Sequence, residues 1–166
     1  LAGANALFKK DPFEFQYWAL DLVSALPRKS KENMRGADQG IDGIVVFLKG
    51  IENGKEQSGK LVEQVKGGAV HRDAIAALKG DAEREKADGG LLITLEEPTR
   101  PMRTEAVSAG SFRVDFLKEE FPKVQILTVA DLLKGLKPKL PSGAENYYKE
   151  AKRIELDALN QNKLEF

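Results

Sequence analysis

Cysteine is absent from the 166 residues, which excludes disulfides and any metal site built on thiolates. With no sign of an oxidising compartment, a cytoplasmic location is the default expectation. Apolar runs of the roughly 18 residues that a membrane-spanning helix requires are missing as well. Nothing at the start reads as a signal peptide, so no membrane partner is expected. Charge of one sign is also lacking: 26 basic and 26 acidic residues leave a net charge of zero. A domain that holds nucleic acid by phosphate contacts alone usually carries a basic excess. The balance therefore argues against a sequestering DNA-binding protein, and leaves room for an enzyme with a local basic groove and carboxylates for a metal. Leu1 at the start, where a complete chain carries Met, reads as a fragment of a longer polypeptide or as a trimmed chain. Hydrophobic residues at 42% and charged residues at 31% are ordinary for one globular domain with its own core.

Asp11 and Pro12 form a helix start, a side-chain acceptor followed by a residue that needs no donor. Phe15, Trp18, Ala19, Leu22 and Val23 then recur at helical spacing as far as Ala25. Arg28 to Gly40 is polar and reads as irregular. Ile41 to Leu48 is a β-branched apolar strand, Asn53-Gly54 a hairpin turn, and Lys60 to Lys66 the returning strand. In that strand Leu61, Glu63 and Val65 share one face, and Val62, Gln64 and Lys66 the other. Val70 to Ala87 reads as a helix with Ala74, Ile75, Leu78 and Ala82 inward. Leu91 to Leu95 reads as a buried strand, Met102 to Ala109 as a short helix and Val124 to Leu127 as another buried strand. Thr128 caps a helix through Leu133 that Gly135 closes. Residues 1–137 make one domain; Pro138 and Pro141 open a linker to an amphipathic helix, with Tyr147, Ala151, Ile154 and Ala158 on one stripe. This order of elements predicts an α/β chain with a mixed sheet.

Two patches carry candidate chemistry. Gly36 to Gly43 (Gly-Ala-Asp-Gln-Gly-Ile-Asp-Gly) stands at the mouth of the first hairpin strand. Glu63-Gln64-Val65-Lys66-Gly67-Gly68 ends the second. Phosphodiester hydrolysis needs oxygen ligands for a hard cation and a positive group near the attacking water or leaving oxygen. Asp42 offers a carboxylate, Gln64 a side-chain carbonyl and Val65 a backbone carbonyl, and Lys66 projects from the face of Gln64. Register is the obstacle. Pairing about a two-residue Asn53-Gly54 turn places position 42 opposite position 65. An ideal ladder then aims Asp42 at the face of Val65 and away from Lys66. A bulge must shift the register by one, with Gly40 or Gly43 as its expected host.

Gly-x-Asp-x-Gly-Ile-Asp-Gly followed by Gln-Val-Lys resembles the Mrr-type branch of the PD-(D/E)xK nucleases, the restriction-endonuclease-like family. More closely, Phe15 to Ala19, Gly36 to Gly43 and Gln64 to Gly68 are similar to the nuclease-like region found C-terminal in certain bacterial DNA methyltransferase and restriction polypeptides. The likeness continues through Leu92 to Thr99, Met102, Glu105-Ala106, Ala109-Gly110 and Gln125 to Thr128. The resemblance implies a restriction-endonuclease-like mixed β-sheet flanked by helices, acting on double-stranded DNA with Mg²⁺, for which Mn²⁺ would substitute. It implies Asp42 as metal-binding aspartate, Gln64 in the place of the second acidic ligand and Lys66 as catalytic lysine. Methyltransferase or other domains of a parent polypeptide become expected partners, and cutting both strands calls for two sites, as in a homodimer. The departure is the amide at position 64, where a carboxylate is usual. It keeps a second function open: a nuclease-fold module that binds DNA or a partner domain without cutting. Where relatives carry a helix glutamate this chain has Gln16, with Glu14 roughly 200° around the helix.

Other residues admit plain readings beside the functional ones. Asp38 either stabilises its loop or holds a second ion. Glu63 reads as an exposed or second-face charge. His71, Arg72 and Arg84 are candidate DNA contacts, yet they lie among Asp73, Asp81, Glu83 and Glu85, as a solvated helix face would. Phe15 and Trp18 read as core, and Glu96, Glu97 and Thr99 as either a turn or support for the site. The C-terminal stripe is a packing helix or a dimerisation element.

Overall fold

Asp11 and Pro12 start a helix as their pairing predicts in the computed structural model, which describes residues 1–28 and 40–141. A first helix, α1 (Ala2–Lys10), precedes it and was not legible from periodicity. The Asp11 side chain accepts the N–H groups of Phe13 and Glu14 and so caps α2 (Pro12–Leu22). Phe8 of α1 meets Phe15 of α2 edge to face, with ring centroids 5.4 Å apart.

The sheet is mixed, with five strands in the order β1 (Leu26–Pro27), β2 (Gly43–Glu52), β3 (Lys55–Lys66), β4 (Gly89–Thr94) and β7 (Val124–Thr128). β2 and β3 form the expected antiparallel hairpin. Asn53 and Gly54 turn it with φ of 51° and 74°, the left-handed pair a two-residue hairpin demands. β3–β4 and β4–β7 are parallel. A parallel pair needs a crossover, and α3 (Arg72–Arg84) supplies the first. The second runs through α4 (Arg100–Ser108) and a hairpin of β5 (Ser111–Val114) and β6 (Glu119–Pro122). The sequence pattern does not announce that hairpin; Phe112 and Phe121 stack across it at 5.6 Å and anchor it to the core.

Each sheet face buries a separate apolar layer. Val45, Phe47, Leu61, Val65, Leu91 and Ile93 pack beneath Phe15, Ala19 and Leu20 of α2. On the other face Val62 and Leu92 pack against Ile75, Leu78 and Ala82 of α3 and Met102 of α4. β4 is buried along its whole length, as its continuous apolar run predicts. Among the described residues no helix is long and apolar enough to cross a membrane. The expected C-terminal helix, and most of the irregular stretch before Gly40, lie outside the described residues.

β7 passes into α5 (Val129–Leu133) through a reciprocal cap: Thr128 Oγ1 accepts Asp131 N–H at 3.0 Å and Asp131 Oδ2 accepts Thr128 N–H at 3.1 Å. Hydrogen bonding to the carboxyl from the Thr128 side chain first, and from its N–H second, holds Asp131 below its usual range. Its contribution is therefore present near neutral pH and lost as acid protonates the group. Thr128→Ala is expected to lower unfolding stability by about 1 kcal/mol, read by urea denaturation at pH 7, with a smaller difference from wild type at pH 3.

Candidate active site

The paired strands do shift register by one residue, within β2. Near the turn Glu52 pairs with Lys55 and Gly50 with Gln57, but beyond it Leu48 pairs with Ser58 and Gly43 with Glu63. Lys49 is the extra residue. A register shift lies there, and a second irregularity stands at Gly43, where Asp42 N–H turns to Glu63, the residue that Gly43 itself pairs with. Asp42 lies one step before the last pair, Gly43 with Glu63; its N–H turns to Glu63 on β3 and its C=O to Arg28 beside β1, so it stands at an irregular strand start and not in the regular ladder.

Asp42 lies at the end of the ladder. Its N–H donates to Glu63 O at 2.8 Å, and its carboxylate Oδ2 accepts Val65 N–H at 2.7 Å. A side chain thus takes the acceptor position that the next residue of β2 would have filled, which fixes the carboxylate beside the β3 backbone. Within a strand the N–H and C=O of one residue leave on the same side. The Val65 carbonyl therefore emerges toward Asp42 as well. Arg28 N–H donates to Asp42 O at 3.0 Å and ties β1 to this corner.

Gln64 is buried, with 3% of its surface exposed. Its Nε2 donates to Asp81 Oδ2 of α3 at 2.6 Å, and Arg84 Nη2 donates to Asp81 Oδ1, also at 2.6 Å. Lys66 is half-buried at the carboxyl end of β3. Among the described residues no carboxylate pairs with it. Thr94 stands opposite Lys66 on β4, its hydroxyl buried without a hydrogen-bond partner. Gly67 follows where the Phe8 ring crosses the chain; a Cβ there would lie 2.2 Å from that ring. This contact explains the small residue next to the lysine.

Glu63 corrects the sequence expectation. It does alternate to the face opposite Gln64, but it is fully buried, and both carboxylate oxygens lack a partner. Burial first, and the neighbouring Asp42 charge second, push its pKa well above the ordinary glutamate range. The parity of Leu61, Glu63 and Val65 carried the signal, because both neighbours on that face are core residues. Asp81 departs from the solvated-face reading in the same way: it shares the inward face of α3 with Ile75, Leu78 and Ala82.

Asp42, Gln64, Val65 and Lys66 thus gather at one end of β2 and β3. His71, Arg72 and Arg84 do not form one cluster. His71 is exposed just before α3, Arg72 reaches Glu105 at 4.0 Å, and Arg84 is bonded to Asp81 near the other end of the helix. Glu14 and Gln16 belong to α2, which packs on the face away from Gln64 and Lys66. Asp38 lies outside the described residues. No group of three or more Asp, Glu, His or Cys able to hold a metal occurs among the described residues. Asp42 with the Gln64 side-chain oxygen and the Val65 carbonyl would offer one carboxylate and two neutral oxygens. Such a set fits Mg²⁺, which keeps several waters and takes further oxygens from a substrate phosphate.

A family model described as a restriction endonuclease, Mrr_cat, matches residues 7–120. No curated protein matches the chain. Among solved structures, the MspJI restriction endonuclease in complex with a 27-mer oligonucleotide is similar at a TM-score of 0.53 and 15% identity, over 77% of this chain and 28% of that one. The DNA modification-dependent restriction endonuclease AspBHI is similar at 0.55 and 16% identity, over 91% of this chain and 38% of that one. At such identities the likeness is one of fold, and the chain spans well under half of either protein.

Proposed function

This chain belongs to the Mrr_cat restriction endonuclease family, and we propose that it is a metal-dependent endonuclease domain that hydrolyses phosphodiester bonds in duplex DNA, within a restriction or modification-linked defence protein. The observation that carries the reading is the Asp42 carboxylate accepting Val65 N–H at 2.7 Å, which holds it beside the Gln64–Lys66 end of β3. Asp42, the Gln64 side-chain oxygen and the Val65 carbonyl would hold Mg²⁺, with Mn²⁺ as a substitute. The ion supplies positive charge to the scissile phosphate and lowers the pKa of a bound water. Val65 N–H keeps the Asp42 carboxylate oriented at 2.7 Å. Lys66 offers a cation to the attacking water or the phosphoryl oxygens, where negative charge grows in the transition state. His71 and Arg72, beyond the end of β3, would meet flanking phosphates, while Arg84 acts through Asp81.

Cutting both strands needs a second site, which a second copy of the chain would bring. Recognition of a sequence would fall to other domains of a larger polypeptide, such as a methyltransferase. The AspBHI likeness makes modified DNA a substrate to include. The amide at 64, already engaged by Asp81, favours a competing reading in which the module binds DNA or a partner domain without cleavage.

Lys66→Ala separates the two. Nicking of supercoiled plasmid in Mg²⁺ is expected to fall about 10²–10³-fold, with Mn²⁺ affinity retained. Unchanged nicking removes Lys66 from the reaction. Failure of the wild type to cut unmodified or methylated plasmid, with DNA binding intact, selects the binding module.

A further inference from the structure

We propose that Asp81 is the positioning residue for the Gln64 amide, turning its oxygen toward the metal side of the proposed site. This rests on the reading of Gln64 as a ligand. A glutamine side chain presents an acceptor at one end and a donor at the other, and only the acceptor can bind a cation. A free amide would offer either end. The buried Asp81 removes the choice, because a carboxylate only accepts hydrogen bonds. Gln64 Nε2 must face Asp81 Oδ2, at 2.6 Å, and Oε1 is turned the other way. Arg84 fixes the carboxylate from behind at 2.6 Å. Gly40 closes over the pair: a Cβ there would lie 3.2 Å from both Asp81 Oδ2 and Gln64 Nε2, and its φ of +80° suits glycine.

The same contact explains why an amide stands at position 64. A glutamate there would set two carboxylates at hydrogen-bond distance with no proton between them. Glutamine at 64 and aspartate at 81 are a matched pair, and glutamate with asparagine is the pair of opposite polarity. In the exchanged pair an asparagine amide at position 81 would donate to a carboxylate at position 64, and the site would gain a second charged ligand.

A double-mutant cycle on the full chain tests this with Gln64→Glu, Asp81→Asn and both together, plus Asp81→Ala. The readouts are urea unfolding and Mn²⁺ binding by calorimetry. Gln64→Glu alone should lower the unfolding midpoint, and the exchanged pair should restore it and bind Mn²⁺ at least about 10-fold more tightly than wild type. Asp81→Ala should weaken Mn²⁺ binding about 10-fold, the scale on which a ligand's hydrogen-bonding support acts, and Asp81→Asn, whose carbonyl still accepts from Gln64, should recover most of it. An exchanged pair no more stable than Gln64→Glu, or an Asp81→Ala variant that binds Mn²⁺ like wild type while Asp42→Ala does not bind, overturns the role of Asp81. Unchanged binding in Asp42→Ala overturns the site itself, and the positioning role with it.

Discussion

Asp42→Asn is expected to abolish measurable Mg²⁺ and Mn²⁺ binding and to reduce DNA cleavage at least about 10³-fold. Of the three proposed donors Asp42 alone brings a charge. Removing it leaves two neutral oxygens that compete poorly with water for a divalent ion. Asparagine is chosen because its side-chain oxygen can still accept the Val65 N–H, which now bonds Asp42 Oδ2. Asp42→Ala would strand that N–H and cost about 1 kcal/mol of stability besides, mixing a folding defect with a metal defect. Calorimetric titration with Mn²⁺, beside a urea melt, separates them. The asparagine variant should melt like wild type and give no heat of binding.

Glu63→Leu is expected to stabilise the protein by about 1–3 kcal/mol near pH 8, the scale of an unsatisfied buried polar group. Both Glu63 oxygens are buried with no partner, and burial followed by the Asp42 charge raises its pKa. In the unfolded chain the group titrates at about 4.3. Above that value the unfolded chain releases the proton while the folded chain keeps it, so folding takes up a proton and stability falls as pH rises. The advantage of Glu63→Leu should accordingly be smallest near pH 4 and grow up to the raised folded pKa. Urea melts of both proteins at pH 4.5, 6 and 8 measure it. A difference that shrinks with rising pH would contradict a neutral, buried Glu63.

The sequence carried the local chemistry of this fold well. Asp11-Pro12 announced the capped start of α2, and Asn53-Gly54 the left-handed pair of the hairpin turn. Alternation correctly divided β3 between two faces. What escaped depends on partners distant in the chain. α1 is held by Phe8 against Phe15 and Gly67, contacts set by the tertiary fold rather than by local periodicity. β5 and β6 are four residues each, too short to signal a strand until Phe112 stacks on Phe47 at 5.7 Å. The need for a shifted register could be deduced by counting back from the turn, but the shift at Lys49 could not. A bulge follows from how the strands twist over the core, and Lys49 has no special backbone chemistry to mark it. At the candidate site the Asp42, Gln64 and Lys66 pattern was legible, whereas Asp81 was hidden by its setting among Arg84 and other charges. Charge made Glu63 and Asp81 look like surface, though spacing placed both inward.

Whether Asp42, Gln64 and Lys66 form one metal-dependent cleaving site is decided by a plasmid assay. Supercoiled plasmid, methylated and unmethylated, is incubated with wild type and with Asp42→Asn in Mg²⁺, Mn²⁺ or EDTA. Wild type should give nicked or linear product with either metal and none in EDTA, and the variant none above background. Equal cleavage by Asp42→Asn, or cleavage that persists in EDTA, would mean that the chemistry does not run through this site.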